Sequence, residues 1–403
     1  MNVIFFMMSC ITDISHRGIY SDLMRKIRDE GHTLYIVSPR ERSSGVKAGL
    51  SEVDGVHILG VRTLKLQKAN VFEKGLGQVL VDSQFKSAIK REIKDVHFDV
   101  ILYVTPPITL SGAIKYLRRN NPSAKTYLLL KDIFPQNAVD IGMMSKTGLK
   151  GILYRHFRRK EKALYRVSDH IGCMSPANVR YLLHHNPEIA ADKVEVAPNS
   201  IALHDAGEMD ATFRDSFRKK YHLPVDRPIF IYGGNLGKPQ GIPFLISCLE
   251  ANASRQDCHF LIIGSGTEFP KLKEWYLQAR PESVSIMGAL PKHEYDNLVR
   301  SCDVGLIFLD YRFTIPNYPS RLLSYMENRM PVLCATDPHT DVGSIAQENG
   351  YGYCCLSNSV EDFTRILDKM IHSDRLEMGE KAYSFLKTHY LVNHTYQAIM
   401  RHV

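Results

Sequence analysis

The chain has 403 residues, of which 44% are apolar and 23% are charged. These proportions are typical of a globular protein, and the length allows two domains of about 200 residues each. No apolar run reaches the ~18 residues that a membrane-spanning helix needs. The apolar start, residues 1–11, lacks the basic residues and the cleavage site of a signal peptide. Eight cysteines without a Cys-x-x-Cys pair indicate a reducing compartment, so we expect a cytoplasmic protein.

The net charge of +8 is unevenly distributed. Residues 1–200 contain 30 Lys and Arg against 19 Asp and Glu, whereas residues 201–403 contain 21 against 24. A basic half is typical of a protein that meets an anionic ligand or surface. A solvated basic face would give the same count, so both interpretations remain open.

The first half predicts short apolar strands that alternate with amphipathic helices. The strands lie at residues 2–8, 33–38, 56–61, 100–105, 126–131 and 170–175, and two of the helices lie at residues 18–30 and 84–94. Nearly continuous apolar strands separated by helices indicate a parallel sheet with both faces covered. The sequence therefore predicts a doubly wound α/β domain.

The same pattern restarts after Pro198. Further strands are predicted at residues 229–235, 259–266, 284–290, 304–310, 331–336 and 351–356. We predict an N-terminal domain of residues 1–203, a linker at 201–207 and a second domain of residues 204–384, with a final helix at about 385–403 that packs back on the first domain. Ligands of such sheets bind at the carboxyl ends of strands, and we expect the two domains to face each other across a ligand-binding cleft.

A glycine-rich turn follows the first strand of the second domain. Gly233, Gly234 and Gly237 precede Lys238 there. Glycines let backbone N–H groups approach an anion, and a lysine adds a point charge. The spacing matches neither the dinucleotide fingerprint nor the Walker P-loop. A tight turn with a solvated lysine is the alternative interpretation.

Other loops of the second domain carry similar signals. Gly264, Gly266 and Gly288 follow two more strands, while Ser320 and Arg321 open a helix that Pro331 ends. Ser320 is expected to cap that helix, and Arg321 supplies a charge with bidentate geometry. The sequence contains no Asp-x-Asp pair and no His/Cys cluster with metal-ligand spacing. We therefore predict a diphosphate site that needs neither metal nor cofactor.

The order of these motifs resembles that of the bacterial family 4 glycosyltransferases of the GT-B fold. The matching stretches run over almost the whole chain: RDEGHTLYIVSP, VAPNSI, GGNLGKPQG, LIIGSG, VSIMGAL, CDVGLIFL and PSRLLSYMENRMPVL. The stretch LKDIFPQNAVDIG, residues 130–142, resembles the Asp-Leu-Trp-Pro segment of the branch that adds N-acetylfucosamine-type sugars in surface polysaccharide assembly.

The resemblance implies a nucleotide-sugar donor, linked to UDP, in the second domain and a lipid-linked or saccharide acceptor in the first. It implies retention of the anomeric configuration and three catalytic residues, Asp132, Lys238 and Arg321. The residues implied to surround the donor are Gly234, Asn235, Gly237, Gly264, Gly266, Gly288, Leu290, Thr314, Ile315, Asn317, Ser320 and Glu327. On the acceptor side they are His16, Arg17 and Gly18.

The chain departs from this pattern at two places. The family's two glutamates, with seven residues between them, would fall at Pro316 and Ser324, so the usual carboxylate for the ribose is missing. Glu327 lies on nearly the same helical face as Ser324 and is a candidate replacement. Asn235 stands where the glycine-rich loop usually has an arginine, which leaves more of the charge compensation to Lys238.

Residues 154–166, YRHFRRKEKALYR, combine basic side chains with Phe157, Leu164 and tyrosines. Such a stretch suits the anionic inner face of the plasma membrane, where a peripheral enzyme would meet a lipid-linked acceptor. An exposed amphipathic helix is the alternative. Nucleic acid is not expected as a partner, because no aromatic stacking platform or helix-turn-helix pattern accompanies the charge.

Two other functions share this architecture. A sugar-nucleotide 2-epimerase would bind the same donor without an acceptor. A non-catalytic subunit that stabilises a transferase would tolerate the missing glutamates.

Overall fold

The computed structural model describes residues 1–41, 45–64, 71–204 and 210–403. The chain divides into two compact units, one formed by Met1–Ala202 and Val392–Val403 and the other by Leu203–Leu391. The expected linker at 201–207 lies in part, at residues 205–207, outside the described ranges. Among the described residues, no helix is both long enough and apolar enough to cross a membrane.

The first unit alternates strands and helices along the chain. Its strands are β1 (Asn2–Phe6), β2 (Thr33–Glu41), β3 (Gly49–Val53), β4 (Val56–Thr63), β5 (Val100–Val104), β6 (Lys125–Leu130), β7 (His170–Cys173) and β8 (Val194–Val196). Its helices are α1 (Ile19–Asp29), α2 (Val71–Glu92), α3 (Ser111–Asn120), α4 (Gln136–Asp140), α5 (Gly148–Val167), α6 (Pro176–His185) and, at the end of the chain, α15 (Val392–Met400).

The eight strands form one sheet in the order β3-β4-β2-β1-β5-β6-β7-β8. All neighbours pair in parallel except β3 and β4, which are antiparallel. Every residue of the central strand β5 is buried, as expected when helices cover both faces. The sequence did not predict the two edge strands, because β3 is exposed and polar and β8 has only three residues.

The C-terminal segment joins the first unit through hydrogen bonds as well as apolar packing. The Val392 N–H donates to the Ile201 carbonyl (2.9 Å), and the Thr395 hydroxyl donates to the Pro198 carbonyl (3.0 Å). The return begins later than the expected residue 385. The preceding residues belong to the second unit, where Tyr390 and Tyr318 share a hydrogen bond between their hydroxyls.

The second unit contains a six-stranded sheet that is parallel throughout, in the order β11-β10-β9-β12-β13-β14. Its strands are β9 (Ile229–Asn235), β10 (His259–Ser265), β11 (Val284–Met287), β12 (Val304–Phe308), β13 (Val332–Thr336) and β14 (Gly352–Leu356). The helices are α7 (Ala211–Lys220), α8 (Ile242–Ala251), α9 (Phe269–Ala279), α10 (Lys292–Arg300), α11 (Arg321–Glu327), α12 (Val342–Glu348), α13 (Val360–Ile371) and α14 (Arg375–His389).

The strand order of this sheet reverses between β9 and β12. From β9 the chain moves outwards through β10 and β11, and it then returns to place β12 on the other side of β9. In an open α/β sheet, ligands bind beyond the carboxyl ends of the strands at such a reversal. The loops that follow β9 and β12 are therefore the expected ligand-binding loops.

The predicted membrane-facing stretch, residues 154–166, lies within α5. The prediction that the apolar side chains of this stretch face a membrane was wrong, because Phe157 and Leu164 are buried within the first unit. Two of its cations have anionic partners: Arg158 pairs with Glu161, and the Lys162 amine lies 2.9 Å from Glu188. The exposed apolar side chains lie earlier, before and within the first turns of the helix: Met143, Leu149, Ile152 and Leu153.

Candidate functional site

The ends of β9 and β10 approach each other through glycines. Gly234 pairs with Gly264 in the strand register. A Cβ on Gly264 would lie 1.8 Å from the Gly234 carbonyl oxygen, and a Cβ on Gly266 would lie 2.3 Å from the Leu236 carbonyl oxygen. Gly234 and Gly264 also have φ values of 118° and 156°, which side chains disfavour. These glycines are therefore required by the contact between the two loops.

The loop after β9 is shaped by side-chain amides. The Asn235 Nδ2 donates to Gln240 Oε1 (3.0 Å), and the Gly237 N–H donates to the same oxygen (3.1 Å). Lys238 is exposed, and its amine makes no hydrogen bond or ion pair with any described residue. The loop is thus fixed by neutral groups, which leaves the positive charge of Lys238 available to a ligand.

Arg321, the first residue of α11, reaches the same loop. Its Nη2 lies 3.8 Å from the position that a Cβ on Gly234 would occupy, and its Cζ lies 4.1 Å from the centre of the Tyr232 ring. The buried Nη1 has no hydrogen-bond acceptor, and no carboxylate pairs with the guanidinium among the described residues. A buried unpaired charge is costly, so this geometry suits an anionic ligand that supplies the missing acceptors.

The start of α11 differs from the prediction. Ser320 was expected to cap the helix, but its side chain makes no capping hydrogen bond. The reason is its backbone: with φ −65° and ψ −18° Ser320 is already helical, whereas a capping residue is usually extended. The hydroxyl of Ser320 is instead exposed beside Arg321.

Three tyrosines surround Arg321, and sequence analysis did not identify them. Tyr232 stacks on the guanidinium, and the Tyr325 hydroxyl accepts the Gly233 N–H (3.3 Å) and donates to the Ile231 carbonyl (3.1 Å). The Tyr295 hydroxyl lies over Gly233, because a Cβ there would be 1.9 Å from it. Only Tyr232 had a signal in the sequence, since it directly precedes the two glycines.

The loop before α11 is held by hydrogen bonds. The Asn317 N–H donates to Thr340 Oγ1 (2.9 Å), and Thr340 is anchored by the Asp337 carboxylate (2.8 Å). Thr314 is exposed, whereas the side chain of Ile315 is completely buried. Any contact between Ile315 and a donor must therefore use its backbone.

Three further residues are assigned to the donor site by the resemblance: Gly288 and Leu290 lie in the loop between β11 and α10, and Glu327 is the last residue of α11. Gly288 is exposed, with no atom of the described residues within 4 Å of the position that a Cβ would occupy, and Leu290 is half-buried. One oxygen of Glu327 accepts the His204 N–H (3.0 Å). This bond occupies part of the carboxylate that is the candidate replacement for the missing ribose ligand.

In the first unit, Asp132 follows β6. The Asn137 Nδ2 donates to both carboxylate oxygens (2.8 Å each), and loss of hydration raises the pKa of Asp132 to about 6. The neighbouring Lys131 amine donates to the Ala197 carbonyl (3.0 Å), and the same cause lowers the pKa of Lys131 to about 7. Two charged groups with shifted pKa values at one strand end are typical of a functional site.

The residues assigned to the acceptor side precede α1. His16 is exposed, with its Nδ1 3.3 Å from Asp13, and the Gly18 N–H donates to Asp22 (3.1 Å). Arg17 lies between them and is half-buried. Gly18 has φ 168°, an extended conformation open to any residue, so its backbone does not explain why a glycine is present.

Residues 213–385 match the family model described as Glycosyl transferases group 1. The chain is 25% identical over 331 residues to WbjE of Pseudomonas aeruginosa, a probable glycosyltransferase, covering 80% of this chain and 78% of that protein. It is 22% identical over 290 residues to WcaI of Escherichia coli (strain K12), a candidate colanic acid biosynthesis glycosyl transferase, covering 71% and 69%. These similarities support glycosyltransferase activity.

Solved structures share the fold at low sequence identity. Sucrose-phosphate synthase (tll1590) from Thermosynechococcus elongatus superimposes with a TM-score of 0.74 at 12% identity, covering 99% of this chain and 97% of that one. Anabaena Alr3699/HepE, solved in complex with UDP-glucose, gives 0.69 at 12% identity, covering 100% and 98%. Two parallel-sheet α/β units of this kind constitute the GT-B fold, which confirms the predicted fold class.

The contact between the two glycine loops gives a first prediction. Gly266→Ala places a methyl group against the Leu236 backbone, and such overpacking costs about 2 kcal/mol. We expect the melting temperature of the variant to fall by about 5 °C, measured by calorimetry. Gly288→Ala is the matched control, because the space around it is open. Equal melting temperatures for the two variants would contradict the described packing.

The raised pKa of Asp132 gives a second prediction, on stability. The native state binds this proton more tightly than the unfolded state, so the ionised carboxylate lowers the free energy of unfolding above pH 6. Asp132→Asn should therefore be more stable than the wild type at pH 8, by up to about 3 kcal/mol. The difference should vanish near pH 4.

Urea unfolding at both pH values measures this difference. Asp192→Asn, an exposed aspartate of the same unit, is the control and should leave stability unchanged at both. A stability difference for Asp132→Asn that is independent of pH would show that the carboxylate is not the cause.

Proposed function

We propose that the protein is a retaining glycosyltransferase that moves a hexosyl or N-acetylhexosaminyl group from a UDP-linked donor to a lipid-linked or saccharide acceptor. We place the reaction in the synthesis of a capsule, O-antigen or exopolysaccharide. The group 1 family match and the names of WbjE and WcaI support the reaction class and its setting. The UDP-glucose complex of a protein with the same fold supports the choice of nucleotide.

One observation carries the proposal: the guanidinium of Arg321 abuts the glycine loop at Gly234 and, among the described residues, has neither a carboxylate partner nor an acceptor for Nη1. Lys238, four residues further along that loop, has an amine without a partner in the same part of the chain. One available cation on the glycine-rich loop and a second that reaches it from α11 match the two phosphates of a nucleoside diphosphate.

This arrangement would assist the departure of the nucleotide. Glycosyl transfer breaks the bond between the anomeric carbon and a phosphate oxygen, so negative charge grows on the diphosphate while positive charge grows on the sugar. Fixed cations near the diphosphate stabilise that transition state more than the bound donor. Lys238 and Arg321 take this role in our proposal. The acceptor hydroxyl attacks on the leaving-group face and passes its proton to the departing diphosphate.

Asp132 is proposed to orient the acceptor hydroxyl or to stabilise the cationic sugar. With a pKa of about 6, its carboxylate is mostly ionised at neutral pH. Asn137 holds both oxygens from one side, which fixes the orientation of the carboxylate. A carboxylate held in this way can interact with positive charge without first rearranging.

We further propose that the first unit binds the anionic inner face of the plasma membrane through its apolar ridge, formed by Met143, Leu149, Ile152 and Leu153. Leu149 is 87% exposed, although burial of a leucine side chain is worth about 2 kcal/mol. The exposed Lys146 and Lys150 lie within the same segment. Apolar side chains flanked by lysines suit the boundary between anionic headgroups and acyl chains.

The catalytic proposal predicts that Lys238→Ala and Arg321→Ala each lower turnover at least about a hundredfold, because each removes one charge from the leaving group. The measurement is release of UDP from UDP-sugars in the presence of lipid-linked acceptor. Lys273→Ala is the matched control, since Lys273 is also exposed and unpaired among the described residues. Arg321→Lys should recover part of the activity by restoring charge without the bidentate geometry.

Wild-type turnover in both alanine variants would rule out this site. The products separate the rival functions: free UDP indicates transfer, an isomerised nucleotide sugar indicates epimerisation, and no turnover of any donor by the wild type indicates a non-catalytic subunit.

The membrane proposal predicts that Leu149→Ser combined with Ile152→Ser reduces binding to phosphatidylglycerol vesicles about tenfold, because less apolar surface enters the membrane. Co-sedimentation at low salt measures the binding. Leu376→Ser is the control, because Leu376 is 84% exposed but belongs to the second unit. Absence of wild-type binding to these vesicles would defeat the proposal.

A further inference from the structure

Tyr295 extends from α10 to the carboxyl end of β9. A Cβ on Gly233 would lie 1.9 Å from the Tyr295 hydroxyl oxygen and 2.6 Å from its Cζ. The glycine at 233 is therefore what allows the phenol to reach the turn. The helix that carries Tyr295 connects β11 to β12, so this side chain reaches the turn from a different helix than Arg321 does.

Tyr295 and Arg321 meet consecutive residues of the same turn. Tyr295 lies over Gly233, while Nη2 of Arg321 lies 3.8 Å from the Cβ position of Gly234. The charge of Arg321 is also among the groups that influence the phenol electrostatically. A ligand anion that reaches Arg321 at this turn would thus have the Tyr295 hydroxyl beside it.

The hydroxyl of Tyr295 is available. It makes no hydrogen bond within the described part of the chain, although the side chain is half-buried. The two neighbouring tyrosines are satisfied, because Tyr232 donates to the Asn235 carbonyl (2.8 Å) and Tyr325 donates to the Ile231 carbonyl (3.1 Å). An unpaired hydroxyl and an unpaired guanidinium that reach consecutive residues of one turn suit a single ligand with several acceptor oxygens.

We propose that the Tyr295 hydroxyl donates a hydrogen bond to the diphosphate of the nucleotide-sugar donor, next to Arg321. This inference rests on the proposed function and adds an uncharged hydrogen-bond donor to the two cations of the proposed diphosphate site. Asn235, which stands where related loops have an arginine, carries no charge and uses one of its amide N–H groups on Gln240. Tyr295 supplies a donor from a different element.

The chemistry of the phenol fits this role. Loss of hydration raises the pKa of Tyr295 to about 12, so the hydroxyl keeps its proton at neutral pH and donates to an anion without adding a repulsive charge. A hydrogen bond to a charged oxygen is stronger than one between neutral groups. Its strength increases as charge accumulates on the leaving diphosphate, so Tyr295 contributes to turnover as well as to binding.

The test compares Tyr295→Phe with the wild type in calorimetric titrations with UDP. The substitution keeps the ring over Gly233 and removes only the hydroxyl. We expect the Kd for UDP to rise about tenfold or more and the Kd for uridine, measured by competition, to stay the same. Tyr276→Phe is the matched control, since Tyr276 is also half-buried in this unit with an unpaired hydroxyl among the described residues.

The outcomes distinguish this inference from the function on which it rests. An unchanged Kd for UDP in Tyr295→Phe, with weakened binding in Lys238→Ala and Arg321→Ala, overturns the role of Tyr295 alone. Equal losses for UDP and uridine overturn the diphosphate contact and indicate a packing role. A wild-type protein that does not bind UDP overturns both proposals.

Discussion

The half-buried positive charge of Arg321 is the feature on which the candidate site depends. Within the described residues, its guanidinium stacks on Tyr232 but has no anionic partner, and Nη1 has no acceptor. Leaving a buried charge unpaired costs folding free energy, and stacking on an aromatic ring returns only a part of it. A ligand with negatively charged oxygens would supply the missing interactions of the guanidinium. The folding free energy lost to the unpaired charge would then be regained as binding free energy.

The glycines make this geometry possible in three separate ways. Gly264 and Gly266 bring the end of β10 against the loop after β9, where their missing side chains remove clashes with backbone oxygens. Gly233 instead makes room for the ring of Tyr295, whereas Gly234 is needed for its backbone conformation, with φ 118°, because a Cβ there would only contact Arg321. The glycines at the reversal of strand order thus allow close packing of two loops, the approach of a tyrosine ring and an unusual backbone conformation.

The sequence predicted the buried strands of both sheets, but not their edge strands or the contacts around Arg321. Central strands such as β5 are buried on both faces and are recognisable as apolar runs, whereas β3 and β8 form only through pairing at the sheet edge. Ser320 looked like a cap, but its helical backbone decides otherwise. Tyr295 and Tyr325 join the site through tertiary contacts that no local pattern encodes. Phe157 and Leu164 are buried because tertiary packing, which the sequence of α5 alone does not encode, decides which face of a helix is covered.

Net charge and local charge also indicate different candidate positions for an anion. The basic half of the sequence, residues 1–200, suggested an anionic ligand there, yet the unpaired guanidinium lies in the half that carries a slight acidic excess. In that half, acidic groups neutralise structural cations: Asp303 holds the buried Arg218, and Glu294 holds Lys220. Each of those ion pairs contributes no net charge to this half of the chain, and neither pair involves the loop at Gly234. An anion site is therefore defined by which cations lack partners, a property of the folded chain rather than of its composition.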